Sequence, residues 1–481
     1  MTNWKQLVIA IQLGLVGSLG SVSYSWADTA IKPKLESLVE LGQTAPVGRQ
    51  LNIQQWQTSA GSKVLFVAAH ELPMFDIQLT FAAGSSRDGD KPGLALLTNG
   101  MLNEGVKGMD VTAIAKTFEG VGANFGNGSY RDMAIVSLRS LTDPKKSQVA
   151  VDLLTKVISE PTFPESSFER IKNQLLTSFE IDKKTPGRLI TKEFYNRLYG
   201  NHPYAHSSDG NPESIKAMTI ADLKQFYQAT YNSKNVVIAI VGDLSKQQAE
   251  ELAEKISSSL PKGQALAAVE APQSATAGNY HTEFSSQQTH IVLGQLGVTR
   301  NDPDYPALYV GNQILGGSGL TSRLMKEVRE RRGLTYGIYS GFSTMQAAGP
   351  FSIGLQTRAE MADGSLVLIK DIVREYLANG PTEQELKDAK REISGSFPLS
   401  NASNSNIVSQ LGAIGFYNLP LNYLEDFIKQ IEALSPEQIK QAMNKHLKMD
   451  DFIVVTVGPT VPQQSLPEPT ATQKQVMGVP H

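Results

Sequence analysis

The chain has 481 residues, enough for about three units of ordinary domain size or two large ones, and its 44 basic and 47 acidic side chains leave a formal charge of −3. With 41% hydrophobic and 19% charged residues it is globular in composition, and the near-neutral balance leaves no electrostatic footprint for nucleic acid or an anionic membrane surface. Cysteine is absent, which excludes disulfides, thiolate zinc sites, iron–sulfur clusters and a cysteine nucleophile, and leaves seven histidines to carry any imidazole chemistry.

Residues 1–27 combine a single early charge at Lys5, an apolar Gly- and Ser-containing run over 7–22, and small residues Ser25 and Ala27 around Trp26. These are the parts of a cleavable secretory signal, so cleavage after Ala27 and a periplasmic protein of a Gram-negative bacterium are expected. No later stretch reaches the ~20 apolar residues of a membrane span. Strands are expected over 64–68, 76–82 and 133–138, then a long helix over 165–183. The second part repeats the order, with strands over 289–294, 336–342 and 351–355 and a helix over 364–379. Between the two runs, residues 261–279 are small and punctuated by Pro and Gly, which reads as a linker. Residues 461–481, rich in Pro, Gln and Thr, read as a poorly ordered tail.

Two elements recur at one offset. Thr219 opens a helix that leads into the apolar run 235–242, and Ser435 opens another that leads into 451–458; 435 − 219 = 216 and 458 − 242 = 216. Thr219 with Asp222 and Ser435 with Gln438 both have the spacing of a capping box. The expected architecture is therefore a duplicated α+β unit, a mostly antiparallel sheet with helices on one face, used once over 28–260 and again over 280–460.

Residues 79–101 (LTFAAGSSRDGDKPGLALLTNGM), His202-Pro-Tyr204 with the PESIK run from Pro212, Tyr231-Asn232, Val241-Gly-Asp243, and residues 324–336 (LMKEVRERRGLTY) follow in an order that resembles the pitrilysin/insulinase family, the inverzincins. Mitochondrial processing peptidase and bacterial two-subunit relatives belong to the same family. Its active members carry H-x-x-E-H on a helix: two His one turn apart bind zinc, and the Glu is the general base. The matching positions here are Leu96-Leu97-Thr98-Asn99-Gly100, so Leu96, Asn99 and Gly100 replace both ligands and the base. A third, glutamate ligand would fall near Leu176-Thr177-Ser178, where no carboxylate stands. Neither Leu nor Asn can do this work, and no zinc is expected in this chain.

What the resemblance retains is Arg329 and Tyr336, which match the family's Arg–Tyr pair of the second domain. It implies that they bind substrate and stabilise the tetrahedral oxyanion across from the zinc site of an opposing domain. Arg329 is expected to end a helix, Gly333 to supply a turn and Tyr336 to begin a strand; read by itself, the segment is also a solvated charged helix. Residues 122–130 match the edge strand that pairs with extended peptide in active relatives, although Gly126 and Gly128 suggest a bulge.

Other motifs carry less. His202 and His206 have i,i+4 spacing, but Pro203 and Gly200 place them in a loop. His70, His281, His290, His446 and His481 are scattered, residues 316–319 (GGSG) lack the lysine of a phosphate loop, and no G-x-S-x-G elbow occurs. The expected role is a subunit inactive alone within a zinc-dependent metalloendopeptidase, paired with a homologous H-x-x-E-H chain that holds the zinc and acting on unfolded peptides. A pseudopeptidase that binds peptides or serves structurally is the alternative. A free-standing enzyme built on other residues has no constellation to support it.

Overall fold

A computed structural model describes residues 51–470 except Ser274, all within one compact unit. The expected signal segment and residues 471–481 lie outside the described residues. Chain order in the first half is β1 (Gln54–Gln57), β2 (Lys63–Ala68), β3 (Met74–Phe81), α1 (Leu94–Met101), a small ribbon of β4 (Gly105–Val106) and β5 (Met109–Asp110), α2 (Val111–Gly120), β6 (Asn124–Ser129), β7 (Ala134–Leu141), α3 (Pro144–Ser159), α4 (Glu165–Asp182), α5 (Pro186–Tyr199), α6 (Pro212–Ala217), α7 (Ile220–Thr230), β8 (Val236–Gly242) and α8 (Lys246–Ser259). The second half runs β9 (Gly278–Glu283), β10 (Gln288–Leu296), α9 (Tyr305–Asn312), β11 (Ile338–Phe342), β12 (Pro350–Arg358), α10 (Ala362–Asn379), α11 (Glu383–Ser400), α12 (Asn404–Phe416), α13 (Tyr423–Ala433), α14 (Pro436–His446) and β13 (Ile453–Gly458).

The 216-residue offset holds well beyond the two elements that suggested it. Adding 216 to α5 gives 402–415 against 404–416 for α12, and adding it to β7 gives 350–357 against 350–358 for β12. Sheet order repeats too: β2-β8-β3-β7-β6 in one sheet, with β1 added outside β2, and β9-β13-β10-β12-β11 in the other. In both, the first pair is parallel and the remaining pairs antiparallel. The helix starts are built alike: Thr219 and Ser435 accept from Asp222 N and Gln438 N in complete capping boxes.

Each sheet is the α+β layer expected, with its own half's helices on one face. The other face of each sheet carries a helix from the opposite half. Strand β8 explains why. Val236, Ile238 and Ile240 face the main core of the first half, with Leu154 of α3 and Phe226 of α7. The alternate residues Val237, Ala239 and Val241 are as apolar and pack with Leu65 and Val67 against Ile407, Leu411 and Ile414 of α12. In β13 the pattern recurs: Val454 faces the second-half core, while Ile453, Val455 and Val457 meet Ile190, Phe194 and Leu198 of α5. An unbroken apolar strand needs both faces covered, and here the second cover is exchanged between halves.

Buried polar contacts also join the halves. Asp132 accepts from Tyr204 Oη and, at 2.7 Å, from Gln346 N, and Tyr199 Oη donates to Ala348 O at 2.9 Å. Residues 261–273 and 275–277 have no regular secondary structure, yet the segment is fastened: Leu266 N donates to Asn235 Oδ1 at 2.8 Å and Arg87 Nη2 to Ala267 O at 2.6 Å. Residues 461–470, expected as a free tail, instead lie bonded along the second half, because Leu466 finds an apolar seat there. Among the described residues, no helix is long and apolar enough to cross a membrane.

Candidate functional site

Gly93 caps the start of helix α1, and the Asp88 carboxylate accepts from Gly93 N at 2.7 Å and Ala95 N at 2.8 Å, satisfying two of the amides a helix start leaves open. Burial pushes the Asp88 carboxyl up to about 7 against these two bonds, and the His206 ring, held below its usual range by burial, stands 3.9 Å away. Sequence reasoning missed this buried carboxylate; its position a few residues before a helix start was the available signal.

The three positions that would carry a zinc motif sit on α1. Leu96 is half-buried. Asn99 is 2% exposed and its amide points into the core, where Nδ2 donates to Tyr231 Oη at 3.2 Å and Ile135 O at 3.3 Å. A Cβ at Gly100 would meet nothing within 4 Å. Leu176, at the third expected ligand position on α4, packs on the main core, and Thr177 Oγ1 is spent on Asn173 O. The carboxylate that follows α1, Glu104, is paired with Arg170 at 2.5 Å. The site therefore offers no imidazole and no free carboxylate; it does not fit zinc, and no water-activating base stands there.

Elsewhere among the described residues, one group of three side chains has metal-ligand geometry: Asp302, Asp304 and His446. Lys445 Nζ at 2.6 Å and His446 Nε2 at 2.8 Å both contact Asp304, whose carboxyl is held below its usual range chiefly by the lysine. A lysine in that place marks an ion-pair knot tying α14 to the start of α9. His446, read from the sequence as a single histidine, belongs to it. In the 202–206 loop, His202 Nε2 is 2.9 Å from Glu270 O and its Nδ1 accepts from Tyr204 N, while His206 Nδ1 is 3.1 Å from Ser207 O. The two rings serve the loop and do not converge.

Arg329 lies in a π-helical turn, Met325–Glu330, followed by a reversal in which Gly333 takes φ +60°. That left-handed value is one glycine adopts without strain. Strand β11 starts at Ile338 and not at Tyr336, because Thr335 Oγ1 bonds both the N–H and the C=O of Gly337 and holds residues 335–337 out of the ladder. Tyr336 is left 85% exposed. Around it the other arginines are engaged: Arg323 makes two 2.7 Å bonds to Glu385, Arg331 pairs with Glu327 at 2.6 Å, and Arg332 donates to Pro467 O at 2.9 Å. The guanidinium of half-buried Arg329 and the Tyr336 hydroxyl have no hydrogen bond or ion pair among the described residues. Strand β6 forms the open edge of the first sheet, and its register against β7 is continuous from Asn124↔Arg139 to Ser129↔Ala134, so the expected bulge is not formed. Asn127 Nδ2 on that strand donates to Asn99 O at 2.7 Å, tying the edge to α1.

Residues 63–209 match the insulinase family, peptidase family M16, and residues 217–393 match the peptidase M16 inactive domain. The chain belongs to the M16 family. A Pseudomonas fluorescens structure described as a peptidase M16 inactive domain is 59% identical, covers 87% of this chain and 100% of its own, and superimposes with a TM-score of 0.85. A Helicobacter pylori protein named non-peptidase homolog YmxG is 27% identical over 82% of this chain and 91% of its own. A Bacillus subtilis relative, named uncharacterized zinc protease YmxG, is 24% identical over 76% of this chain and 88% of its own. The M16 fold with a degenerate α1 is consistent with a chain that holds no zinc.

Proposed function

We propose that this M16 chain is the non-catalytic subunit of a zinc-metallopeptidase heterodimer, exported to the periplasm by residues 1–27 and acting on unfolded peptides. The partner is a homologous chain that carries H-x-x-E-H and the zinc. The observation that carries the reading is the contrast within one molecule: α1 has no ligand or base at Leu96, Asn99 and Gly100, whereas the Arg329 guanidinium and the Tyr336 hydroxyl on the second half have no partner among the described residues. A cation and a phenol held ready for a developing oxyanion serve chemistry only opposite a nucleophile such as a metal-bound water, and α1 offers no ligand or base to hold one. The open β6 edge supports a second reading, a pseudopeptidase that binds extended peptide without contributing to chemistry.

Steady-state kinetics of the reconstituted pair separate the two. Arg329→Ala and Tyr336→Phe are expected to assemble normally and to lower kcat by about 10²–10³, the usual cost of one oxyanion donor. Zinc is expected on the partner alone. Turnover within about twofold of wild type in both variants removes the catalytic role and favours the pseudopeptidase.

A further inference from the structure

Beyond β13 the chain crosses the second half as an extended strap. Gln463 Oε1 accepts from Asp363 N at 3.0 Å, at the start of α10, and its Nε2 donates to Ala359 O at 3.0 Å. Gln464 N donates to Glu360 O at 2.8 Å. Leu466 then drops onto Gly364, so close that a Cβ on that glycine would stand 2.7 Å from Leu466 Cδ2. Pro462, Pro467 and Pro469 fix an extended backbone before any contact is made, which lowers the entropy lost on docking. The strap next reaches the residues between Arg329 and Tyr336. Arg332 Nη1 donates to Pro467 O at 2.9 Å, and Arg331 O accepts from Thr470 N at 2.8 Å and from Thr470 Oγ1 at 3.1 Å.

We infer that this strap, anchored by Leu466 and bonded to the turn through Pro467 and Thr470, positions the segment that presents Arg329 and Tyr336. The inference rests on the trans-acting reading for its functional meaning but not for its physics. Residues 331–337 belong to neither a helix nor a ladder. Their remaining fastenings are Arg331 N to Lys326 O, Arg331 Nη1 to Glu327, Gly333 N to Arg329 O, Leu334 N to Val328 O, the Thr335–Gly337 bonds, Thr357 Oγ1 to Leu334 O, and the Leu334 side chain buried in the second-half core. The backbone bonds, the Arg331–Glu327 pair and the Thr335–Gly337 bonds stay within residues 326–337. The Thr357 bond, the buried Leu334 side chain and the strap tie the turn to structure beyond it, and Tyr336, almost fully exposed, contributes no hydrogen bond of its own. Without the strap, Arg331 and Arg332 lose three hydrogen bonds, Leu334 remains as the turn's hold on the core, and the residues on either side of it gain freedom to reorient the pair they carry.

Amide hydrogen exchange on the full chain tests this without any partner. Thr470→Pro, which removes both donors to Arg331 O, and Arg332→Ala are expected to speed exchange of residues 329–337 by about tenfold, the effect of losing one or two hydrogen bonds. Exchange in β10 is expected to stay unchanged, and Arg332→Lys to restore most of the protection. In the reconstituted peptidase the same variants lower kcat with KM unchanged. Unaltered protection of 329–337 in both variants overturns the inference. So does a loss spread equally over β10, which would mark the strap as general stabilisation. If exchange responds locally while Arg329→Ala turns over normally, the strap stands and the trans-acting reading falls.

Discussion

Asp88 is a carboxylate placed where the chain has few alternatives: it must satisfy two amides at the start of α1, and it must do so 2% exposed. Burial raises its carboxyl to about 7, above the roughly 3.9 of an unfolded chain. The folded state therefore holds the Asp88 proton more tightly than the unfolded state. Its contribution to stability is fully present below about pH 4 and is lost as the pH rises through 7, by up to about 1.4 kcal/mol per unit. His206 works in the opposite direction, since its lowered value favours the neutral ring and its contribution fades as the pH falls below about 6.5. Asp88→Asn keeps an amide oxygen for one of the two N–H groups and cannot titrate, so the difference between wild type and variant isolates the carboxyl. Denaturant unfolding of both between pH 4 and pH 8 is expected to show wild type losing stability relative to the variant as the pH rises; parallel curves contradict the assignment. The same scale shows what the sequence could and could not disclose about the site. Loss of the zinc motif is a matter of residue type and was legible at Leu96, Asn99 and Gly100. That Arg329 lacks a partner was not, because Arg323, Arg331 and Arg332 are the same residue type and differ only in having Glu385, Glu327 and Pro467 O within reach.

At the scale of elements, the capping boxes at Thr219 and Ser435 and the apolar runs closed by Gly242 and Gly458 were legible because caps and strand burial are local. The expected cover on one face alone fell short, because the unbroken apolar run of β8 is buried on both faces. Which helix covers the second face was not legible, because the apolar stripe of α12 reads like that of any other helix and its strand lies more than 160 residues earlier in the chain. The fit itself is specific. On α12, a Cβ at Gly415 would stand 2.4 Å from Val237 Cγ1 and 2.8 Å from Leu65 Cδ1, both on buried strands that cannot give way cheaply. Gly395 on α11 has nothing within 4 Å. Helix propensity alone favours Gly→Ala by up to about 1 kcal/mol at either position. Gly395→Ala is therefore expected to stabilise by that amount, while Gly415→Ala destabilises by about 1–3 kcal/mol because overpacking outweighs propensity. Shifts of the same sign in denaturant unfolding would show that the α12 contact is looser than its geometry.

The exchange of α5 and α12 decides how the whole molecule is held together. The duplication read from the sequence implies two domains with a linker, each able to fold by itself. Yet the first half without α12 exposes Leu65, Val67, Val237 and Val241 on the back of its sheet, and the second without α5 exposes Ile453, Val455 and Val457. At about 1.5–3 kcal/mol for each large apolar side chain, uncovering the first sheet alone costs roughly 6–12 kcal/mol, comparable to the whole stability of an ordinary domain at 5–15 kcal/mol. Asp132, which burial already pushes toward the neutral form, would also lose Gln346 N. The halves are consequently expected to unfold together: the full chain should show one transition with coincident fluorescence and circular dichroism curves. A fragment of residues 28–260 should bind a hydrophobic dye, aggregate and lack a cooperative transition, and mixing it with a fragment of residues 261–481 during refolding should suppress both defects. A sharp, reversible transition in either fragment alone, or two separated transitions in the full chain, would show that the exchanged helices decorate two independent domains. In that case the second half could swing on its linker, and the position of Arg329 and Tyr336 would be set by a partner instead of by the fold of this chain.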